Sequence, residues 1–367
     1  MKALIITNIL LSFYYINCNF PFFNILQENE TKNTTKTTYI YGHLSPDTDT
    51  IASSIILADF LKKMGNKNKI VPCRLGEINK ETKYILKYCR VQTPILIKDL
   101  SGADEVFLVD HNSPSQSLDF NNANIIGLID HHAITGFETT NPIQIITKPV
   151  GCTATILYEL YKQNNISISE DIAELMISAI ISDTLLLKSS ITTQEDIDAV
   201  EILSNEIGMD YKNYGYSMLE AGTDISDMTE NQIINLDSKS YQVNGYKIQI
   251  AFLNSLDATE VLYRKEKLLE EINKFIDKKH IHLFVLTIVN IIDLDSTVLV
   301  SGSLSKVVES AFHCELKDNE AFLKGISSRK KEVYPYIANE IKKLKEFNSY
   351  KWININALLI IFLLFLF

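Results

Sequence analysis

The chain has 367 residues, 46% of them hydrophobic and 22% charged, so it is neither disordered nor fibrous and has the length for two buried cores. A formal net charge of −10 without a long basic run argues against a nucleic-acid partner, which demands a concentrated positive surface. The cysteines, Cys18, Cys73, Cys89, Cys152 and Cys314, are scattered without CxxC spacing; they indicate neither a zinc knuckle nor a disulfide framework and read as small buried hydrophobes.

Residues 1–20 open on Met1-Lys2 and an apolar run interrupted up to Phe13 only by Thr7, Asn8 and Ser12, a signal-like segment. Residues 21–37, rich in Asn, Thr, Lys and Glu, read as a linker. From 38 to 220 short apolar strands alternate with amphipathic helices, the pattern of a parallel α/β sheet. The predicted strands are 38–42, 70–73, 105–109 and 125–129. Helices are predicted over 51–64, 80–88, 153–163 and 171–182, the first closed by Gly65 as C′ residue. Thr193 and Asp196 form a capping box for a further helix running to residue 207. Residues 221–229 break the periodicity and read as a second linker. A smaller α/β domain follows over 230–346, with strands at 245–253, 283–291 and 297–300 and helices near 261–276 and 306–312. In the tail, 347–367, the run from 357 onward is unbroken apolar, shorter than the roughly 20 residues a spanning helix needs. It is open to reading as a glycolipid-anchor signal, a partial membrane anchor or a gene-model error. The sequence carries no internal repeat and no Walker-type glycine loop.

Three predicted strands run into metal-ligand residue types. TYIYG leads to His43, then Asp47 and Asp49; EVFLV leads to Asp110 and His111; IIGLI leads to Asp130, His131 and His132. In an open parallel sheet ligands bind outside the carboxyl ends of the strands, so these clusters should converge on one crevice. Any one of these aspartates could be a helix cap or a turn former, but three strands ending alike are hard to explain that way. Carboxylates and imidazoles without thiolate suit Mn²⁺, Mg²⁺, Co²⁺ or Fe²⁺ better than structural zinc. Several carboxylates in one crevice repel one another unless more than one cation offsets them. Asp183 follows the apolar helix LMISAIIS, where it opposes the helix dipole; metal ligation would give that placement a reason.

His43-x-x-x-Asp47-x-Asp49, Asp110-His111-Asn112, Asp130-His131-His132, KPVGCTATIL (148–157), SAIISDTLL (178–186) and SSRKK (327–331), in that order, resemble a family II inorganic pyrophosphatase of the DHH phosphoesterase superfamily. The likeness covers about residues 38–335. It implies an α/β fold: an N-terminal DHH-type parallel sheet flanked by helices, and a smaller C-terminal α/β domain closing over the active-site cleft. It implies two Mn²⁺ or Co²⁺ ions per subunit held by His43, Asp47, Asp49, Asp110, His131 and Asp183, with Asp110 bridging, and Mg²⁺ arriving with the substrate. It also implies that His132, Lys239, Arg329 and Lys330 grip pyrophosphate, and that the chain forms a homodimer through the first domain. The family location would be cytoplasmic; the hydrophobic ends suggest a secretory or membrane-associated alternative, with membrane contact through them. Glu220 departs from the pattern where a basic residue is expected.

The reaction so implied is hydrolysis of pyrophosphate to two orthophosphates by a water that two close metals acidify and aim in line at phosphorus. His132 would donate a proton or hydrogen bond to the leaving phosphate. Arg offers phosphate a bidentate fork and Lys a point charge, although SSRKK by itself would read as a solvated helix start. The rivals are an exopolyphosphatase on the same scaffold and another DHH-type phosphoesterase, such as an oligonucleotide phosphodiesterase, whose glycine-rich nucleic-acid domain is not seen. The non-enzyme rival is a phosphate-sensing pseudoenzyme, which would be expected to have lost a ligand.

Overall fold

The computed structural model describes residues 36–100, 105–119 and 124–344; the signal-like segment, nearly all of the first linker and the apolar tail lie outside the described residues. The chain divides into two compact units, Met1–Gly222 and Thr223–Phe367.

The first unit runs β1 (Thr37–Tyr41), α1 (Thr48–Lys63), β2 (Lys69–Arg74), α2 (Lys80–Tyr88), β3 (Ile95–Leu96), β4 (Glu105–Val109), β5 (Asn124–Asp130), β6 (Gln144–Thr147), α3 (Thr153–Gln163), α4 (Glu170–Thr184), α5 (Gln194–Ile207) and α6 (Tyr211–Thr223). Six strands lie parallel in the order β3-β2-β1-β4-β5-β6. The chain leaves β1 towards β2 on one side and returns to β4 on the other. The strand order therefore reverses between β1 and β4, and a crevice opens at that switch point beyond the carboxyl ends of both strands. The sheet centre is apolar on both faces, as helices on both sides require: all of EVFLV is buried, and Val106, Phe107, Leu108 and Val109 each contribute roughly 1.5–3 kcal/mol.

Helix α1 begins at Thr48, one turn before the apolar periodicity that predicted a start at 51. Asp47 caps it by accepting from Thr50 N at 3.0 Å, and its first turn is made of buried polar residues. The expected linker at 221–229 starts inside the last turn of α6. Edge strands β3 and β6 escaped prediction because two and four residues are too few to show a period. Helix α5 starts on the expected capping box, Asp196 Oδ2 accepting from Thr193 N at 2.7 Å. Asp196 is fully buried and also accepts from Gly151 N at 2.8 Å and Thr155 Oγ1 at 2.6 Å, so it ties the entry of α3 to α5.

The second unit contains α7 (Glu230–Asn235), β7 (Asp237–Val243), β8 (Tyr246–Ser255), α8 (Ala258–Leu262), α9 (Lys265–Lys279), β9 (Leu283–Asn290), β10 (Asp295–Ser301), α10 (Ser305–Phe312), β11 (Glu320–Leu323), a π-turn (Arg329–Val333) and α11 (Tyr334–Lys342). Its sheet has the order β11-β10-β9-β8-β7, with β8 and β9 parallel and the other pairs antiparallel. Alternation along β8 sends Ile248, Ile250 and Phe252 to one face, with Val308 and Ile337 of α10 and α11. Ala251 and Leu253 go to the other face, with Ile233 of α7 and Leu268 and Ile272 of α9. The single helix expected near 261–276 is two, α8 and α9. They part at Arg264, whose guanidinium turns away to Glu230 and to the carbonyls of Ile225 and Met228. Among the described residues no helix is long and apolar enough to cross a membrane.

Replacing Asp196 by Ala removes the return arm of the capping box, which accepts from Thr193 N, and strands the buried Gly151 N–H and Thr155 hydroxyl. The expected loss is about 2–4 kcal/mol of unfolding free energy, read by urea denaturation in chelator. A loss within experimental error would remove Asp196 as the tie between α3 and α5.

Candidate metal centre

The ends of β1, β4 and β5 deliver their polar residues to the switch-point crevice. Gly42 follows β1 directly, and a Cβ there would lie 2.5 Å from Thr50 Cγ2, so only glycine lets Thr50 of α1 pack against the strand end. Thr50 in turn donates from Oγ1 to Asp110 Oδ2 at 2.6 Å. Asp110 leaves β4 in the left-handed region, φ 59°, a conformation Asp adopts more readily than most residues. Its carboxylate is buried and its two oxygens face different partners. Oδ2 lies 3.6 Å from His43 Nε2 and takes the Thr50 hydroxyl. Oδ1 lies 3.4 Å from His131 Nε2 and accepts from Thr153 Oγ1 at 3.2 Å.

Around Asp110 the donor atoms fall into groups whose members all lie within 4.8 Å of one another: His43, Asp47 and Asp110; Asp110, His131 and His132; Asp49, Cys152 and Asp183. Asp47 serves two ends, Oδ1 capping α1 and Oδ2 lying 3.2 Å from His43 Nε2. Asp49 is fully buried and accepts from Ser53 Oγ at 2.7 Å and from the first amides of α3, Thr153 N at 2.7 Å and Ala154 N at 3.2 Å. Asp183 sits in the last turn of α4, its Oδ2 3.8 Å from His131 Nε2.

Two histidines are oriented by groups outside the cluster. His131 Nδ1 is 3.1 Å from Val150 O; a carbonyl can only accept, so Nδ1 carries the proton and Nε2 turns its lone pair towards Asp110 and Asp183. His132 Nδ1 is 2.9 Å from Asp130 Oδ1, which also accepts from His132 N at 3.0 Å, while Asp130 Oδ2 accepts from Asn112 Nδ2 at 2.6 Å. His132 is 53% exposed and keeps Nε2 for a ligand. His111 does not join the cluster: its Nδ1 faces Val109 O, and burial pushes its pKa down to about 4.

Electrostatics make the same point as geometry. Burial raises Asp110 and Asp183 well above the usual carboxylate range, and the neighbouring Asp49 raises both further. At Asp47 and Asp130 burial pushes upward too, but the His43 ring, and the His132 ring and amide, outweigh it and hold them below that range. Among the described residues no Lys or Arg pairs with Asp49, Asp110 or Asp183. A crowd of buried carboxylates with imidazole lone pairs aimed into it fits divalent cations.

Sequence reasoning missed several participants. In the sequence Cys152 reads as one more small hydrophobe and the donor set as free of sulfur. Its Sγ instead joins Asp49 and Asp183, because the turn before α3 that supplies Thr153 brings Cys152 with it. Burial and those two carboxylates raise the thiol well above its usual range in the metal-free chain. The motif KPVGCTATIL pointed at this turn without saying which of its atoms matter.

The remaining site residues belong to the second unit. Lys239 is exposed on β7, on the same strand face as Asp237. Arg329 opens the π-turn; its Nη1 donates to Asp237 O and faces Asp237 Oδ1, both at 2.8 Å, and its guanidinium lies over the Phe252 ring, 5.5 Å from the centroid. Glu332 closes the turn by accepting from Ser327 N at 2.8 Å and Ser328 N at 2.9 Å. Lys330 is exposed beside it. Nothing in SSRKK alone announced that Arg329 would be anchored 92 residues back along the chain.

Residues 37–180 match the family described as "DHH family, N-terminal domain" and residues 216–339 match "DHHA2 domain". A Bacillus licheniformis protein named a manganese-dependent inorganic pyrophosphatase is 44% identical over 305 residues, covering 83% of this chain and 98% of its own length. A Staphylococcus haemolyticus protein of the same name is 44% identical over 307 residues, covering 83% and 99%. The crystal structure of a Methanococcus jannaschii protein assigned to the family II inorganic pyrophosphatases is similar with a TM-score of 0.56 at 37% identity, covering 83% of this chain and 99% of that one.

Because its pKa is raised, an ionised Asp110 destabilises the metal-free fold; that penalty is absent below the unfolded pKa and grows as pH rises through the folded one. In chelator at pH 8, Asp110→Asn should therefore melt no lower than the parent, while its Mn²⁺ affinity falls by more than about tenfold, 1.4 kcal/mol. Equilibrium dialysis and calorimetry check both. Unchanged Mn²⁺ binding would remove Asp110 from the ligand set.

Proposed function

This chain belongs to the family II, manganese-dependent inorganic pyrophosphatases, carrying the DHH and DHHA2 domains in order, and we propose that it hydrolyses pyrophosphate to two orthophosphates at the Asp110 crevice. The observation that carries this reading is the division of Asp110, one oxygen towards His43 and the other towards His131. A buried carboxylate so shared supports a pair of Mn²⁺ or Co²⁺ ions, of which one would be held by His43, Asp47 and Asp110 and the other by Asp49, Asp110, His131 and Asp183.

Bound there, the ions would supply charge neutralisation and an acidified water as nucleophile. The rest of the work falls to the chain's own groups. Thr50, Thr153 and the α3 amides hold the carboxylates in position before any ion arrives, so little reorganisation accompanies binding. His132 meets a phosphate through Nε2 and holds or gives a proton there. Asp130, locked by Asn112, stabilises the imidazolium through Nδ1. Lys239, Arg329 and Lys330 are assigned to the substrate's phosphates, joined by Mg²⁺ carried with the substrate. Arg329 is suited to this: Nη1 is turned to Asp237, which leaves three of its five N–H donors for phosphate oxygens. Assembly as a homodimer is part of the same proposal and rests on the family resemblance.

Stripped with chelator, the enzyme should release phosphate from pyrophosphate again with Mn²⁺ or Co²⁺ and much less with Zn²⁺, because the proposed ligands are carboxylate oxygens and imidazole nitrogens. Activity that survives chelation would sink the metal-dependent reading. Arg329→Ala should lower kcat/KM on pyrophosphate by about 2–4 kcal/mol, roughly 30- to 1,000-fold, with metal content unchanged. An exopolyphosphatase would lose less on tripolyphosphate, which finds further contacts. An unaltered kcat/KM on pyrophosphate would refute the substrate role of Arg329.

A further inference from the structure

Glu81 lies in the first turn of α2, whose cap Asn79 accepts from Thr82 N at 2.7 Å, and the helix start favours a carboxylate there. Its Oε1 accepts two hydroxyls at once, from Thr48 Oγ1 at 2.6 Å and from Ser182 Oγ at 2.5 Å. Thr48 stands between Asp47 and Asp49, and Ser182 immediately precedes Asp183. One oxygen atom therefore joins the two segments that carry half of the ligand set. Thr82 Oγ1, 3.2 Å from Thr48 Oγ1, supports the same junction from α2. On the far side α6 closes over Glu81 at Gly222, where a Cβ would come within 3.0 Å of Glu81 Cβ and Oε2, so a side chain at 222 would press on the carboxylate.

Resting on the metal-centre reading, we propose that Glu81 is a positioning residue, a strut that sets the separation between the Asp47–Asp49 turn and Asp183. Neither Thr48 nor Ser182 is in the proposed ligand set, and Glu81 touches no donor of that set, so it acts only through these hydroxyls. The need for it is electrostatic. Asp49 and Asp183 repel each other across the cluster, and a site that splays before ions arrive must be drawn together at the expense of their binding. The two bonds to Glu81 oppose that splaying in the metal-free chain.

The test compares the parent, Glu81→Ala, Glu81→Gln and Ser182→Ala as full-length chains titrated with Mn²⁺. Free Mn²⁺ is read by electron paramagnetic resonance and melting temperature is measured with and without the ion. Glu81→Ala should bind Mn²⁺ about tenfold more weakly, the lower end of what losing an outer partner does at metal sites. Its Mn²⁺-induced rise in melting temperature should shrink accordingly. Glu81→Gln keeps an oxygen acceptor in the same place and should restore both. A merely structural Glu81 would lower the melting temperature equally in chelator and in Mn²⁺ and leave affinity intact; that result overturns the proposal, as does an equal loss in the Ala and Gln variants. Should Glu81→Ala not fold, Ser182→Ala removes one arm and carries the test in the same direction. A parent chain that binds no Mn²⁺ would instead bring down the metal-centre reading on which the strut depends.

Discussion

Like-charge repulsion among Asp49, Asp110 and Asp183 is the constraint around which the first unit is organised. Three carboxylates brought together away from water would push a loosely built crevice apart, and burial, reinforced by the neighbouring carboxylates, raises two of them well above their usual range. The chain answers with fixed dipoles rather than with counter-charges. Thr50 and Thr153 hydroxyls hold Asp110, and the first amides of α3 hold Asp49. A Lys or Arg at those positions would satisfy the acids permanently. Hydroxyls and amides orient them while leaving net charge for a cation to claim.

The second unit shows the complementary arrangement, a cation held by an anion. Arg329 is pinned by the carbonyl and carboxylate of Asp237 and lies over Phe252, so its long side chain is oriented before any phosphate is present. Fixing a flexible side chain in advance reduces the entropy lost when ligand binds. The π-turn achieves this locally, with Glu332 bonding back to the amides of Ser327 and Ser328.

What the sequence showed plainly was whatever is periodic or contiguous. EVFLV and IIGLI are apolar because both faces of a parallel strand are covered, and Thr193 with Asp196 announces a helix start by chemistry that needs only four residues. The residues at strand ends were equally legible as a set, because the topology of an open sheet sends them to one place. The unreadable part was contacts made by ordinary polar residues. Thr48, Thr50 and Ser182 look like any helix hydroxyls in a sequence, and their meaning comes from partners at Glu81 and Asp110. Cys152 carries no spacing signal because it reaches the crevice through the turn it shares with Thr153. The break between α8 and α9 was hidden for a similar reason: Arg264 is a good helix former, and only its bonds to Glu230, Ile225 and Met228 draw it out of line.

The placement of Asp110 also bears on how the chain folds. Its side-chain partners come from residues 43 to 153, and its backbone amide bonds to Ile129 O on β5. None of these contacts is local, and the loop-closure entropy that non-local parallel pairing costs makes such topologies slow to form. The crevice exists only where all of these long-range pairings are made. A nascent chain or partly folded intermediate offers only scattered, flexible carboxylates, which hold Mn²⁺ weakly. Acquisition of a metal ion is thereby tied to completion of the sheet, and a bound ion would stabilise the folded unit by holding together the ends of strands distant in sequence.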